Sequence, residues 1–105
     1  MITLPIKKKW FDMILSGEKK EEYRNITPRY TKMFQNAANN EGNLWLILRN
    51  GYRPDSPSIK VFVHCSIGTG NLNWGAEQNT NYFVLQILEK ESCRFDPISN
   101  RPVSY

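Results

Sequence analysis

Histidine and cysteine are scarce in this chain: among its 105 residues there is one histidine, His64, and two cysteines, Cys65 and Cys93. A single imidazole excludes a multi-histidine metal centre, and two thiols separated by 27 residues lack the close paired spacing of a zinc site or a redox motif. Both cysteines read as buried thiols, and neither a metal nor a cofactor is expected. Long apolar runs are missing too. Leu44 to Leu48 and Tyr82 to Leu85 fall far short of the ~20 residues that cross a bilayer, and no apolar stretch follows Met1 as a signal peptide requires, so a cytoplasmic location is expected. The glycines of "GTG" lack the further glycine, lysine and hydroxyl residue of the nucleotide loops and precede no helix, which excludes a P-loop or dinucleotide fingerprint. No Ser/His/Asp order or Cys/His pair is legible.

What is present fits one ordinary globular domain spanning 1–105. Hydrophobic residues make up 40% and charged residues 23%, and this length leaves too little surface for a second core. The formal charge is +4, a modest excess, but its distribution is uneven. Residues 1–60 hold 11 of the 14 Lys and Arg against 6 of the 10 acids, so the basic excess lies in the first part of the chain.

Ile2 to Pro5 reads as an opening strand, with Pro limiting pairing beyond it. Within "KKKWFDMILSGEK", Trp10, Phe11, Ile14 and Leu15 recur at helical spacing, Met13 lies at the margin and Gly17 suits the position after the last turn. "KEEYR" follows as a short polar strand. Thr27 then caps a second helix with Pro28 at its first position, over about Pro28 to Ala38, with Tyr30, Met33, Phe34 and Ala37 as its apolar stripe. "LWLILRN" is a buried strand. In the next strand Ile59, Val61, Val63, Cys65 and Ile67 face the core, while Lys60, Phe62, His64 and Ser66 face away. "GTGNLNWGAEQNTN" is a long loop, and a strand from Tyr82 to about Glu91 ends the order β-α-β-α-β-β-β. Without regular βαβ alternation this predicts an α+β fold with a curved, mixed sheet.

The first candidate site is "GEKKEEYR", Gly17 to Arg24. A period of two puts Lys20, Glu22 and Arg24 on one side and Glu21 and Tyr23 on the other, with Lys19 at the turn. If the first side faces inward its ions must be paired, because an unpaired buried charge is costly. Such a set recognises ligands: Arg24 offers a planar fork, Lys19 and Lys20 point charges, and Glu22 an acceptor. The competing reading is a solvated edge strand protected from aggregation by its charges. The second candidate is the glycine-rich loop, where Trp74 is either a stacking surface for a base or a hydrophobic plug. The third is the basic set Lys7, Lys8, Lys9, Arg29, Lys32, Arg49 and Arg53 with Trp10, Tyr30 and Tyr52 close by in sequence, either a phosphate track or scattered surface charge. His64 is read as holding a structural hydrogen bond.

"LPIKKKWFDMILSGEKKEEYR" resembles the start of an ASCH domain, of the PUA-like superfamily, in which a helix ending "I-x-x-G-x-K" leads into a strand "K-x-x-E-x-R". Ile14, Gly17, Lys19, Glu22 and Arg24 match position by position, and "RNGY" and "GTGNLNWGAE" are similar to segments of short bacterial and phage members. The resemblance implies a PUA-like mixed β-barrel of five or six strands with two flanking helices. It also implies a cleft holding Lys19, Glu22 and Arg24, and RNA as partner; the leading expectation is a module that binds RNA or a nucleotide there, with Tyr52 or Trp74 as an aromatic wall. Some relatives are acetylcytidine amidohydrolases, which carry a Thr nucleophile at the place of Glu22; this sequence departs there. Two alternatives to a binding module accompany the resemblance. One is a metal-independent hydrolase of RNA or of a modified nucleoside, using Lys19 and Glu22 with Tyr23 moving a proton. The other is a protein-binding adaptor of a mobile element.

Overall fold

The computed structural model describes residues 1–96 and 101–104, with side chains described through residue 91. Strand β1 (Ile2–Pro5) leads into helix α1 (Lys8–Ser16), which buries Phe11 and Ile14. Gly17 at φ 85° ends the helix, its N–H bonding Ile14 O, in the left-handed conformation that glycine adopts without a Cβ penalty. The carbonyls of Met13, Ile14 and Leu15 in the last turn find further donors. Lys19 N bonds Met13 O at 2.9 Å, and Lys90 Nζ reaches Ile14 O at 3.0 Å and Leu15 O at 3.4 Å, a cation where the helix dipole favours one.

Strand β2 (Glu21–Arg24) follows, then helix α2 (Pro28–Phe34). Thr27 Oγ1 accepts from Tyr30 N at 3.1 Å with Pro28 at the first turn, as the sequence predicts. The helix is shorter than the predicted run to Ala38: from Gln35 to Asn40 the backbone tightens into a 3-10 turn that still buries Ala37. Strands β3 (Asn43–Arg49), β4 (Ser58–Thr69), β5 (Asn81–Asp96) and β6 (Arg101–Ser104) complete the chain. The predicted loop after Ile67 is trimmed at both ends by β4 and β5 and holds a 3-10 turn, Leu72–Trp74. No helix among the described residues is long and apolar enough to cross a membrane.

The fold is mixed α+β, a curled sheet in the order β1-β3-β4-β5-β2 with β6 added to β5, flanked by two helices. β1 runs parallel to β3, and the other pairs are antiparallel. Opposite Phe62 and Val63 the register of β5 shifts, a bulge that increases the local twist. The core gathers Leu4, Ile14, Leu46, Leu48, Val61 and Leu85 with residues of both helices.

One inward row is only partly covered. Ile59, Val61 and Val63 are buried as predicted, but Cys65 is half-buried and Ile67 is 63% exposed. Both stand on the core face, opposite Leu85 and Phe83, so the alternation holds while the covering layer runs out. The early end of α2 leaves an apolar groove there, shared by Phe34, Ala37, Cys65, Ile67 and Phe83. Burial pushes the Cys65 thiol up from its ordinary value. The Cys93 side chain, predicted as a second buried thiol, lies outside the described residues.

Candidate ligand-binding cleft

β1 and β2 are the two ends of the strand order, and no ladder joins them among the described residues. Side chains cross that seam instead. Arg24 Nη2 donates to Pro5 O at 2.7 Å and to Glu22 Oε2 at 2.7 Å, while Nη1 reaches Tyr30 OH at 3.3 Å. One guanidinium therefore ties β1, β2 and α2. Its Nε is buried without a hydrogen-bond partner.

Below Arg24 the ion set continues inward. The turn after Gly17 directs Lys19 into the protein, where its side chain has 0% exposure and pairs with Glu22 Oε1 at 3.3 Å. Lys19 Nζ also donates to Glu21 O, and to Trp74 O at 2.8 Å, and it lies 5.4 Å from the Trp10 ring centroid and 4.7 Å from that of Tyr23. Burial holds the Lys19 ammonium below its ordinary value, against the opposing pull of Glu22. The structure thus answers the question the spacing left open: Glu22 and Arg24 share a side of β2 and both are largely buried, with side-chain exposures of 8% and 11%. Lys20 does not join them; its side chain is exposed and it is absent from the cleft wall.

The seam opens into a cleft of about 600 Å³. Glu22, Tyr23, Arg24 and Asn25 form one wall, and Pro5, Ile6, Lys7 and Trp10 another; Tyr30 and the turn Asn50, Gly51 and Tyr52 complete it. Trp10, Tyr23, Tyr30 and Tyr52 thus line the cleft together with Glu22 and Arg24, a charged patch and aromatic cluster with the make-up of a ligand-binding surface. Of the two aromatics predicted for the wall, Tyr52 is there, at 89% exposure. Trp74 takes part differently: its carbonyl holds Lys19, while its half-buried ring is not part of the cleft wall. Sequence reading placed Trp10 and Tyr30 in helical stripes and so missed them as site residues. Their one signal was proximity to the basic set.

That basic set divides. Lys7 lines the cleft, Lys8 pairs with Asp12 at 2.6 Å, and Lys9 lies 4.6 Å from the Trp10 ring centroid. Arg29 and Lys32 are exposed on α2, Arg53 pairs with Asp55 at 3.5 Å, and Arg49 buries an Nε without a partner. His64 Nδ1 lies 2.9 Å from Asn43 Oδ1, the structural hydrogen bond expected of it. Among the described residues no three His, Cys, Asp or Glu side chains gather as a metal site requires.

Tyr23 is held from two sides. Its hydroxyl donates to Glu21 Oε1 at 2.7 Å and accepts from Asn71 N at 2.8 Å. Gly70 allows the loop this approach, since a Cβ there would come within 2.7 Å of the Tyr23 ring. Burial is the main cause that raises the phenol from 10.0 to about 12, far from the range in which a side chain exchanges protons efficiently at neutral pH. The sign for stability follows. Between pH 10 and 12 the unfolded chain loses this proton first, so the Tyr23 contribution is present below that window and lost as pH rises through it. The difference between the ultraviolet phenolate titrations of the wild type and Tyr23→Phe is expected to show a midpoint near 12; a midpoint at 10 would contradict the buried geometry.

Comparison of the chain with family models, with curated proteins and with solved structures gives no match.

Proposed function

We propose that this chain is an RNA- or nucleotide-binding domain of the ASCH kind, which takes a base into the seam cleft between β1 and β2. The observation that carries the reading is that Trp10, Tyr30 and Tyr52 line one cleft of about 600 Å³ with the Glu22–Arg24 pair. Flat rings stack on any base at ~1–3 kcal/mol each, and a guanidinium offers a phosphate or a base edge a fork of donors. Lys7 at the rim adds a point charge for a backbone phosphate. The motif residues Lys19 and Arg24 both contact the third, Glu22, and this supports assignment to the family whose resemblance they carry. Hydrolysis through Lys19 is less well supported than binding, because a side chain with 0% exposure does not touch a ligand in the cleft.

Titration of labelled single-stranded RNA at two salt concentrations tests the proposal. Arg24→Ala is expected to weaken binding at least about tenfold, the size of a lost charged hydrogen bond. Lys7→Ala is expected to weaken it for all sequences and to reduce the slope of log K against log salt by about 0.7, one phosphate contact on a single strand. Circular dichroism of each variant controls for folding. Absence of binding by the wild type removes the proposal, and unchanged binding by a folded Arg24→Ala protein removes this cleft from it.

A further inference from the structure

We infer that the cleft selects a guanine-type base, one that presents a ring N–H beside an exocyclic amino group, with Glu22 as the residue that reads it. This rests on the nucleotide-binding reading and adds a base preference to it.

A carboxylate accepts hydrogen bonds and donates none, and its two oxygens offer about four lone-pair sites. In Glu22 each oxygen has one cation, Lys19 Nζ at 3.3 Å from Oε1 and Arg24 Nη2 at 2.7 Å from Oε2. Each oxygen therefore keeps acceptor capacity, and the residue lines the cleft. Two adjacent acceptors match two adjacent donors. Guanine has that edge, N1–H next to the N2 amino group. Adenine and cytosine place a ring-nitrogen lone pair beside their amino group, which would face a carboxylate oxygen and be repelled. Uracil has one N–H between two carbonyls. The neighbouring group sharpens the match. Beside N1–H guanine carries the acceptor O6, and beside Glu22 lies the Arg24 guanidinium, which also lines the cleft and whose Nη1, bonded to Tyr30 OH at 3.3 Å, carries a second N–H. Acceptor, acceptor and donor in the protein thus meet donor, donor and acceptor in the base. The aromatic walls hold any base alike, so discrimination falls to this polar set.

Five RNA pentamers, UUGUU, UUIUU (I, inosine), UUAUU, UUCUU and UUUUU, titrated against the wild-type protein at one salt concentration, test the inference. UUGUU is expected to bind at least about tenfold tighter than the A, C and U pentamers, the scale of a bidentate base contact. UUIUU, which lacks only the exocyclic amino group, is expected to fall between. Glu22→Gln presents one acceptor and one donor, the complement of adenine and of cytosine alike, and is expected to lose the guanine preference and favour UUAUU and UUCUU. The pentamer series reads the wild type, so it decides whether or not Glu22→Gln folds. Equal affinity for all five overturns base selection while RNA binding stands; no binding of any pentamer or of longer RNA overturns both.

Discussion

Glu22→Ala is expected to destabilise the protein by about 3–5 kcal/mol, the range for removing one partner of a buried ion pair, and adding Lys19→Met to it is expected to restore part of the loss. Glu22 lies between two cations, 3.3 Å from Lys19 Nζ and 2.7 Å from Arg24 Nη2. Without the carboxylate, Lys19 keeps its bonds to the Glu21 and Trp74 carbonyls but has no counter-ion, and Arg24 stands near it with the same sign. Methionine fills much of the lysine volume and brings no charge, so in the Glu22→Ala background it relieves a penalty. In the wild type the same change removes one partner of an intact pair and leaves two carbonyls without their donor, and it is destabilising. Urea unfolding of the four proteins gives the coupling directly. A double variant less stable than Glu22→Ala would show that Lys19 acts through its carbonyl bonds alone. The pH dependence has a definite sign. Burial lowers the Lys19 ammonium, so its folded-state penalty is present at low pH and relieved as pH rises from the folded value toward 10.5. The stability of the wild type relative to Lys19→Met is expected to rise in that direction.

Arg24→Lys keeps the charge and is nevertheless expected to cost about 2–4 kcal/mol, because a lysine cannot bond Pro5 O, Glu22 and Tyr30 OH with one rigid group. The loss has a specific location. β1 and β2 share no ladder, and the Arg24 bond to Pro5 O at 2.7 Å is a polar tie across the seam. If the carbonyl of Pro5 loses its donor, β1 is held by its parallel pairing to β3 and by packing. A lower urea midpoint with an unchanged slope is the expected signature, since the surface exposed on unfolding stays the same. A variant as stable as the wild type would mean that the seam needs charge there but not a fork.

The parts of this protein legible in the sequence are those set within a few residues. Gly17 ends α1 and Thr27–Pro28 begins α2, because caps depend on local backbone conformation. β1 matches its predicted span Ile2–Pro5. The alternation of β2 paired Glu22 with Arg24 before any tertiary contact was known. The errors have physical causes as well. Lys20 falls on the predicted side of a strand that begins one residue later, at Glu21. Cys65 and Ile67 keep their alternation, but alternation does not report how far the covering helix extends. Trp10 and Tyr30 sit at helical positions that serve packing and a cleft equally well.

The sequence by itself determined the local elements and the ionic composition of β2, since steric limits on the backbone and a period of two act between near neighbours. Only the tertiary structure decided that Lys19 would be sealed under the Trp74 carbonyl, 55 positions away, and that Arg24 would meet Pro5 across an unpaired seam. It also decided that the turn carrying Tyr52 would close a cleft begun by α1. Those meetings depend on the order in which distant strands pair, and a strand's own residues encode its face and length but not its neighbours.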